Sequence, residues 1–397
     1  MVPDLRQAFN RDFTPKKYAA FLAQLDQACG TPIHFRVAET PCFFYKWQLD
    51  KFCQYGNELV RQLVGNPAYL EASNLSVPDD YRVPNEPGQP LFIQVDFGLV
   101  EDRKHEIHPK LVELQAFPSL YGYQAVLSKQ YLESYRLGSK LNYFLSGLDE
   151  KSYWHLLRRA VLGEQDPENV ILLEIDPLEQ KTLPDFLVTE RQTGIVTLDI
   201  RDVVKQKNRL FYKKGGKLVP IHRIYNRCIV DELVRKRVKP PFDFRDELRV
   251  EWAGHPNWYF RISKFSIPYL QHECVPETWF LDKIGKLPKD RENYLLKPLY
   301  SFAGSGIIFA PTDAQIDAIP RGKRHNYILQ EKMDFTPVIH TPQGLTQAEV
   351  RIMYIWPEKE QLLPVLALVR MGRGKMMGVD HNKDLEWVGG SAALWRE

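Results

Sequence analysis

The sequence predicts a mixed α/β (α+β) protein made of a helical N-terminal region, a small doubly wound sheet and a strand-rich C-terminal part. Three observations predict it. Apolar residues recur at helical spacing through residues 1–75, as in Tyr18, Phe21, Leu22 and Leu25, or Phe52, Leu59, Leu63 and Val64, with Gly30 and Gly65 as stop signals. From Val170 short apolar runs (VILLEI, DFLVTE, GIVTLDI, KLVPIHRIYNR) alternate with polar or helical pieces, the alternation expected of a parallel sheet. From His255 onward strand-like runs dominate: YLLKPL, GIIFAP, NYILQEKM, EVRIMYIW and LLPVLALVRM.

Between the first two units, VPDDYRVPNEPGQP carries four prolines in fourteen residues and reads as a loop. It leads into two strand-like runs, LFIQVDFGLV and PKLVELQAF, and then into YGYQAVLSKQYLESYRLGSKLNYFL, which has the length and period of one or two helices. The expected units are therefore 1–85, 86–150, 165–254 and 255–397. No internal repeat links them. A chain of 397 residues with 44% hydrophobic content can bury more than one core.

Composition excludes several classes. Lysine and arginine number 53 against 50 acids, a net charge of +3, which implies no polyanionic partner. The basic stretches RDVVKQKNRLFYKKGGK and RKRVK are flanked by acids such as Asp231, Glu232 and Asp243, and read as solvated faces; nucleic acid is not expected. No apolar run approaches the roughly 18 residues that span a bilayer, and the N-terminus lacks an apolar signal core, so a cytoplasmic protein without membrane contact is expected. Five cysteines, none at zinc or thioredoxin-like spacing, read as buried reduced thiols. No P-loop, nucleophile elbow, HExxH or dinucleotide-binding glycine motif is present.

The segment YLLKPLYSFAGSGIIFAP carries the most chemistry. A strand delivers Lys297, and the small residues Ala303, Gly304, Ser305 and Gly306 let backbone N–H groups approach phosphate oxygens beside that point charge. An ordinary glycine-rich hairpin would look the same. Downstream, NYILQEKMDF contains an apolar strand that ends in Gln330 and Glu331, followed by Lys332 and Met333, and is able to offer a strand edge to an adenine and a carboxylate to a ribose. Glu113 lies between Val112 and Leu114 in an apolar strand, and a buried acid needs a partner. Arg351 and Arg370 also lie in apolar strands, where a buried charge needs a partner, a structural ion pair or a bound anion. His381 and Asn382 fall on an expected loop where they either face an acceptor or lie at the surface.

Taken in order, these pieces resemble the ATP-grasp family. The lysine hairpin K-P-x-x-S-x-x-G-x-G, the Q-E strand at Gln330 and Glu331, and the E-V-R strand at Glu349 to Arg351 follow one another as in that family, with Lys264 opening a helix that leads to Pro276-Glu277-Thr278. The family's metal-binding Asp and Glu-x-Asn strands resemble Asp96 and Glu113-Leu114-Gln115, which here precede the rest. IHRIYNRCIVDEL, with Arg227, resembles the strand-turn before the substrate region of permuted members. The chain is thus similar to circularly permuted ATP-grasp enzymes of the eukaryotic-type glutathione synthetase and glutathionylspermidine synthase group, over residues 90–125 and 165–397.

That resemblance implies an ATP-dependent carboxylate–amine ligase acting through an acyl phosphate on small-molecule or peptide-like substrates. It implies that Lys264, Lys297, Ser301, Gly304, Ser305, Gly306, Gln330 and Glu331 bind ATP and that Asp96, Glu113 and Gln115 hold Mg2+. Arg351 and Arg370 would serve catalysis, and Arg227 and Asn382 the substrate. Residues 1–75 have no counterpart in the family, and their expected place is over the substrate side. Gln115 departs from the usual asparagine, and Ser301 from a metal-binding glutamate. An alternative is a degenerate ATP-grasp protein that binds nucleotide without ligation; an interaction protein with no nucleotide response is another. The carboxylate, the amine and the oligomeric state are not legible.

Overall fold

The structure, a computed structural model, describes residues 2–102, 104, 106–299, 306–374, 377 and 384–397. Among them, strands form four sheets. The largest runs β1 (Cys42–Tyr45), β18 (Gly389–Arg396), β17 (Leu363–Gly372), β16 (Gly344–Ile355), β2 (Phe92–Glu101) and β3 (Ile107–Gln115), with β15 (Ile339–Thr341) pairing β16 off this path. Its pairings are antiparallel except β1 with β18. A parallel sheet has the order β10 (Glu251–Ala253), β9 (Arg223–Asn226), β4 (Val170–Glu174), β5 (Val196–Asp199). An antiparallel sheet has the order β11 (Thr278–Phe280), β14 (Tyr327–Glu331), β12 (Tyr294–Pro298), β13 (Ile308–Phe309). A small meander joins β6 (Val204–Gln206), β7 (Arg209–Lys214) and β8 (Lys217–Ile221).

Strand alternation assigns the two faces of the large sheet. On one face Val95, Phe97, Val350, Ile352 and Val369 enter a core shared with Leu49, Phe52, Leu59, Val60 and Leu63 of the helix Lys46–Val64. The Tyr354 hydroxyl donates to the Cys53 carbonyl of that helix, and the Phe52 and Phe97 rings lie 5.8 Å apart. The other face changes character along its strands. Phe92, Met353, Ile355, Leu366 and Leu368 pack beneath helices Tyr121–Ser134 and Glu150–Leu162, and further along come Gln94, Asp96, Glu349, Arg351 and Arg370. The N-terminal helix Lys46–Val64 therefore backs the sheet on the face opposite these polar residues, which corrects its expected place over the substrate side.

Local chemistry explains the elements that sequence reading found and those it missed. Thr14 caps the helix Pro15–Cys29 by accepting from Lys17 N, and Gly30 ends it in the left-handed region at φ 83°, as its stop-signal role requires. The run DFLVTE, expected as a strand, belongs to the helix Leu183–Thr193. Its buried residues Asp185, Val188 and Thr189, and then Thr193, fall at helical spacing, and a short apolar run cannot show this by periodicity alone. KLVPIHRIYNR divides at His222: β8 closes the meander and β9 enters the parallel sheet. The strand β1 lies inside a region read as helical, because CFFY is too short to display a period. All five cysteines are buried and unpaired, as expected.

A buried ion pair within the parallel-sheet unit also holds the start of a helix that packs on the large sheet. The Asp185 carboxylate accepts from Leu120 N (3.1 Å), Gly122 N (2.8 Å) and Tyr123 N (3.0 Å) at the start of helix Tyr121–Ser134, and from Arg227 Nη1 at 2.7 Å. Both side chains are buried, with Arg227 lying 5.1 Å from the centroids of Phe117 and Phe186. Asp185→Ala leaves a buried guanidinium and three helix-start N–H groups without their acceptor, so chemical denaturation should report a loss of about 3–5 kcal/mol.

Candidate functional site

Three of the sheets converge on a cleft of about 860 Å³. The large sheet contributes Glu113, Gln115, Glu349, Arg351 and Arg370, and the antiparallel sheet contributes Leu295, Lys297 and Phe309. Asn226, Cys228, Ile229 and Asp231 come from the end of the parallel sheet, with Lys264 from the short 3-10 helix Lys264–Tyr269. Residues far apart in the chain thus share one cavity. The charges of Glu113 act on both Lys264 and Lys297.

The cleft floor is a charge network in register. Asp96 stands opposite Glu113 on β3 and opposite Arg351 on β16, while Glu349 stands opposite Arg370 on β17. Arg351 donates to both Asp96 oxygens, from Nε at 2.5 Å and from Nη2 at 2.6 Å, and its Nη1 reaches Gln94 Oε1 at 2.8 Å. Arg370 Nη2 donates to Asp96 and to Glu349, and its Nε to Glu349 Oε1 at 2.9 Å. Glu113 lies 3.9 Å from Arg351. Burial alone would raise the Asp96 carboxyl, yet Arg351 and Arg370 outweigh it and hold the group below its ordinary value. Glu349 moves the other way: burial, with Asp96 and Glu113 nearby, raises it despite Arg370.

Lys297 is delivered by β12 into this surrounding and is 6% exposed. Its Nζ donates to Gln330 Oε1 at 2.5 Å; Gln330 Nε2 in turn donates to Thr278 Oγ1 at 3.1 Å, which ties β12, β14 and β11 together. Burial pushes the ammonium down to about 8, assisted by Lys264 and opposed by Glu113 and Glu349. Burial lowers Lys264 too, against Glu113 and Asp231.

The expected site residues separate into groups. Glu113, Gln115, Lys264, Lys297, Arg351 and Arg370 line the cleft together. Asp96, expected to hold metal, is fully buried with both oxygens bound by arginines, and it anchors those arginines instead. Arg227, expected at the substrate, points to Asp185 and supports Phe117 from behind. Gln330 is buried against Lys297 and Thr278, and Glu331 is exposed with its carboxylate accepting from Glu277 N; Lys332 to Phe335, just beyond them, line the cleft. Gly306 is described, at φ 74°, whereas Ser301, Gly304, Ser305, His381 and Asn382 lie outside the described residues.

Sequence reading missed Phe335 and Glu349. A Cβ on Gly98 of β2 would come within 2.1 Å of the Phe335 ring, so glycine is required for this close approach. Thr336 N donates to Leu99 O at 2.8 Å and fixes the segment after β14 onto the large sheet. A glycine in an otherwise apolar strand was the available signal. Glu349 was quoted in its E-V-R strand, but only the register with Arg370 reveals its place on the floor.

No protein-family model matches the chain, and no curated protein matches its sequence. A solved structure does: the glutathione synthetase like-effector GSS30 from Globodera pallida, in its apo form, aligns over 96% of this chain and 99% of that one, with a TM-score of 0.57 and 10% identity. The chain shares the fold of a glutathione synthetase-like protein. At this identity the likeness speaks for the fold. Among the described residues no helix is long and apolar enough to cross a membrane.

Lys297 offers a test of this electrostatic reading. Its proton is held less tightly in the folded chain (about 8) than at its ordinary value of 10.5, so the unfolded state binds more protons between those values and stability rises with pH across that window. The cost of the buried charge is fully present below pH 8. Lys297→Met removes it, and the difference in Tm between this variant and the parent should favour methionine most below pH 8 and shrink toward pH 10.5, as thermal denaturation across pH would record.

Proposed function

We propose that the chain is an ATP-grasp protein in circularly permuted order that binds ATP with magnesium and joins a carboxylate to an amine. The observation that carries this reading is the shared cleft. Glu113 and Gln115, from the first third of the chain, line the same cavity as Lys264, Lys297, Arg351 and Arg370, from the last third. The sequence order of those elements and the glutathione synthetase-like fold support it further.

In this reading Lys264 and Lys297 neutralise ATP phosphates, and the segment 332–335 borders the nucleotide. The oxygen donors fit magnesium only in part. Glu113, Gln115 and Glu349 line the cleft with oxygen-bearing side chains, the type a hard cation requires, whereas Asp96 is committed to its arginines and Glu349 is bound by Arg370. Magnesium bound there would supply charge neutralisation for the phosphate oxygens. Arg351 and Arg370, held rigidly by Asp96 and Glu349, present delocalised charge where a carboxylate oxygen attacks the γ-phosphorus and ADP leaves. An amine nitrogen then displaces phosphate from the acyl phosphate, forming the C–N bond.

One observation favours a second reading, nucleotide binding without ligation. Asp96 is engaged by two arginines, so Glu113, itself 3.9 Å from Arg351, is the carboxylate of the expected set left to meet a metal. Calorimetry with a non-hydrolysable ATP analogue, with and without magnesium, and ADP release over panels of amines and carboxylates separate the two. Lys297→Met should weaken analogue binding by about tenfold or more. Glu113→Gln should lower ADP formation by about a hundredfold or more. Analogue binding with no ADP formation on any pair selects the second reading, and no analogue binding overturns both.

A further inference from the structure

After β14 ends at Glu331, residues Lys332, Met333 and Asp334 line the cleft as a short strap before the chain reaches the large sheet. Both ends of the strap are pinned. Lys332 N donates to Asn293 O at 2.7 Å, just ahead of β12, and Lys332 Nζ pairs with Asp334 at 3.0 Å. At the far end Thr336 N donates to Leu99 O at 2.8 Å, Thr336 Oγ1 accepts from Glu101 N at 2.8 Å, and Phe335 O accepts from Gln347 Nε2 at 2.9 Å. Leu99 and Glu101 belong to β2 and Gln347 to β16, the neighbouring strands that also carry Asp96 and Arg351.

The Phe335 ring adds a fit that those hydrogen bonds do not supply. A Cβ on Gly98 would meet its Cε1, Cζ and Cδ1 atoms at 2.1, 2.5 and 2.7 Å. Gly98 is not among the residues with positive φ, so its backbone conformation does not demand glycine and the approach of the ring does. Glycine weakens the interior of a strand, and β2 carries one where another group comes close. Gly98 stands two residues from Asp96, hence on the same face, and opposite Glu349 on β16. Phe335, half-buried, thus seats beside the charge network and lines the cleft itself.

We infer that Phe335 is a positioning residue: seated on Gly98, it holds the strap 332–334 as a wall of the cleft, and through that wall it sets how tightly the cleft holds its ligand. An alanine at position 98 would push the ring back by about 1 to 2 Å to reach ordinary contact. Only Met333 and Asp334 separate Phe335 from the pin at Lys332, so the wall moves with the ring. The inference rests on the proposed function only for the identity of the ligand, ATP.

Two measurements on the whole chain test it, at a temperature where every variant is folded: hydrogen exchange over residues 332–336, and calorimetric binding of a non-hydrolysable ATP analogue with magnesium. Gly98→Ala should speed exchange in the strap relative to β17 and weaken the analogue by about tenfold or more. Phe335→Leu lacks Cε1 and Cζ, the two nearest ring atoms, and should do both to a smaller extent. The double variant should return both to within about threefold of the parent, because the alanine methyl then occupies the space the ring gave up. A merely structural contact would lower Tm and leave the affinity of the folded protein unchanged.

Parental exchange and affinity in Gly98→Ala, faster exchange with unchanged affinity, or losses that add in the double variant overturn the inference. Should Gly98→Ala fail to fold, Phe335→Leu introduces no clash and decides: parental affinity there overturns the inference. Absence of analogue binding by the parent defeats the nucleotide reading alone, and the exchange pattern across the variants then decides whether the ring holds the strap.

Discussion

The arrangement depends on one buried anion. Asp96 sits in the middle of the seven-stranded sheet with no exposure, and its two oxygens bind Arg351 on the neighbouring strand and Arg370 one strand further. An unpaired carboxylate there would be prohibitive, and so would two unpaired guanidinium groups; together they are tolerable only when β2, β16 and β17 hold one register. A slip of one residue would turn every charge to the apolar face, among Val95, Val350 and Val369. The network therefore fixes strand register, and the same register places Glu113 and Glu349 on the floor of the cleft.

The cleft follows from how the other sheets meet that floor. Its polar end is left open by the large sheet, since helices Tyr121–Ser134 and Glu150–Leu162 cover only the apolar end of the same face. The Asp185–Arg227 pair ties the helix Leu183–Thr193 to the end of β9 in the parallel sheet, and the antiparallel sheet brings Lys297 to the cleft from another side. Burial of Lys297 works against stability, as the depression of its ammonium to about 8 records. Charged groups shifted in this way concentrate at functional sites and in structural ion networks.

Much of this was legible in the linear chain. Glu113, Arg351 and Arg370 stand out because charged side chains lie inside apolar runs, where burial demands a partner, and Lys297 because a strand delivers it ahead of a run of small residues; Lys264 and Gln115 stand out only through the resemblance to ATP-grasp motifs. The strands from Tyr294 to the end were legible for the same reason: long alternating or apolar runs bounded by turn residues. Short pieces were not. DFLVTE turned out helical and CFFY became an edge strand because four to six residues do not define a period, and their neighbours in space decide.

The sequence by itself determined which residues must be buried, which charges must find partners and the order in which the elements occur, because these follow from side-chain chemistry and spacing. It did not determine who those partners are. Asp96 and Arg227, expected to meet ligands, are bound by the protein's own Arg351, Arg370 and Asp185. Those pairings are settled in three dimensions, since they depend on strand register and on the approach of segments 42 to 274 residues apart, and an isolated sequence position carries no record of either.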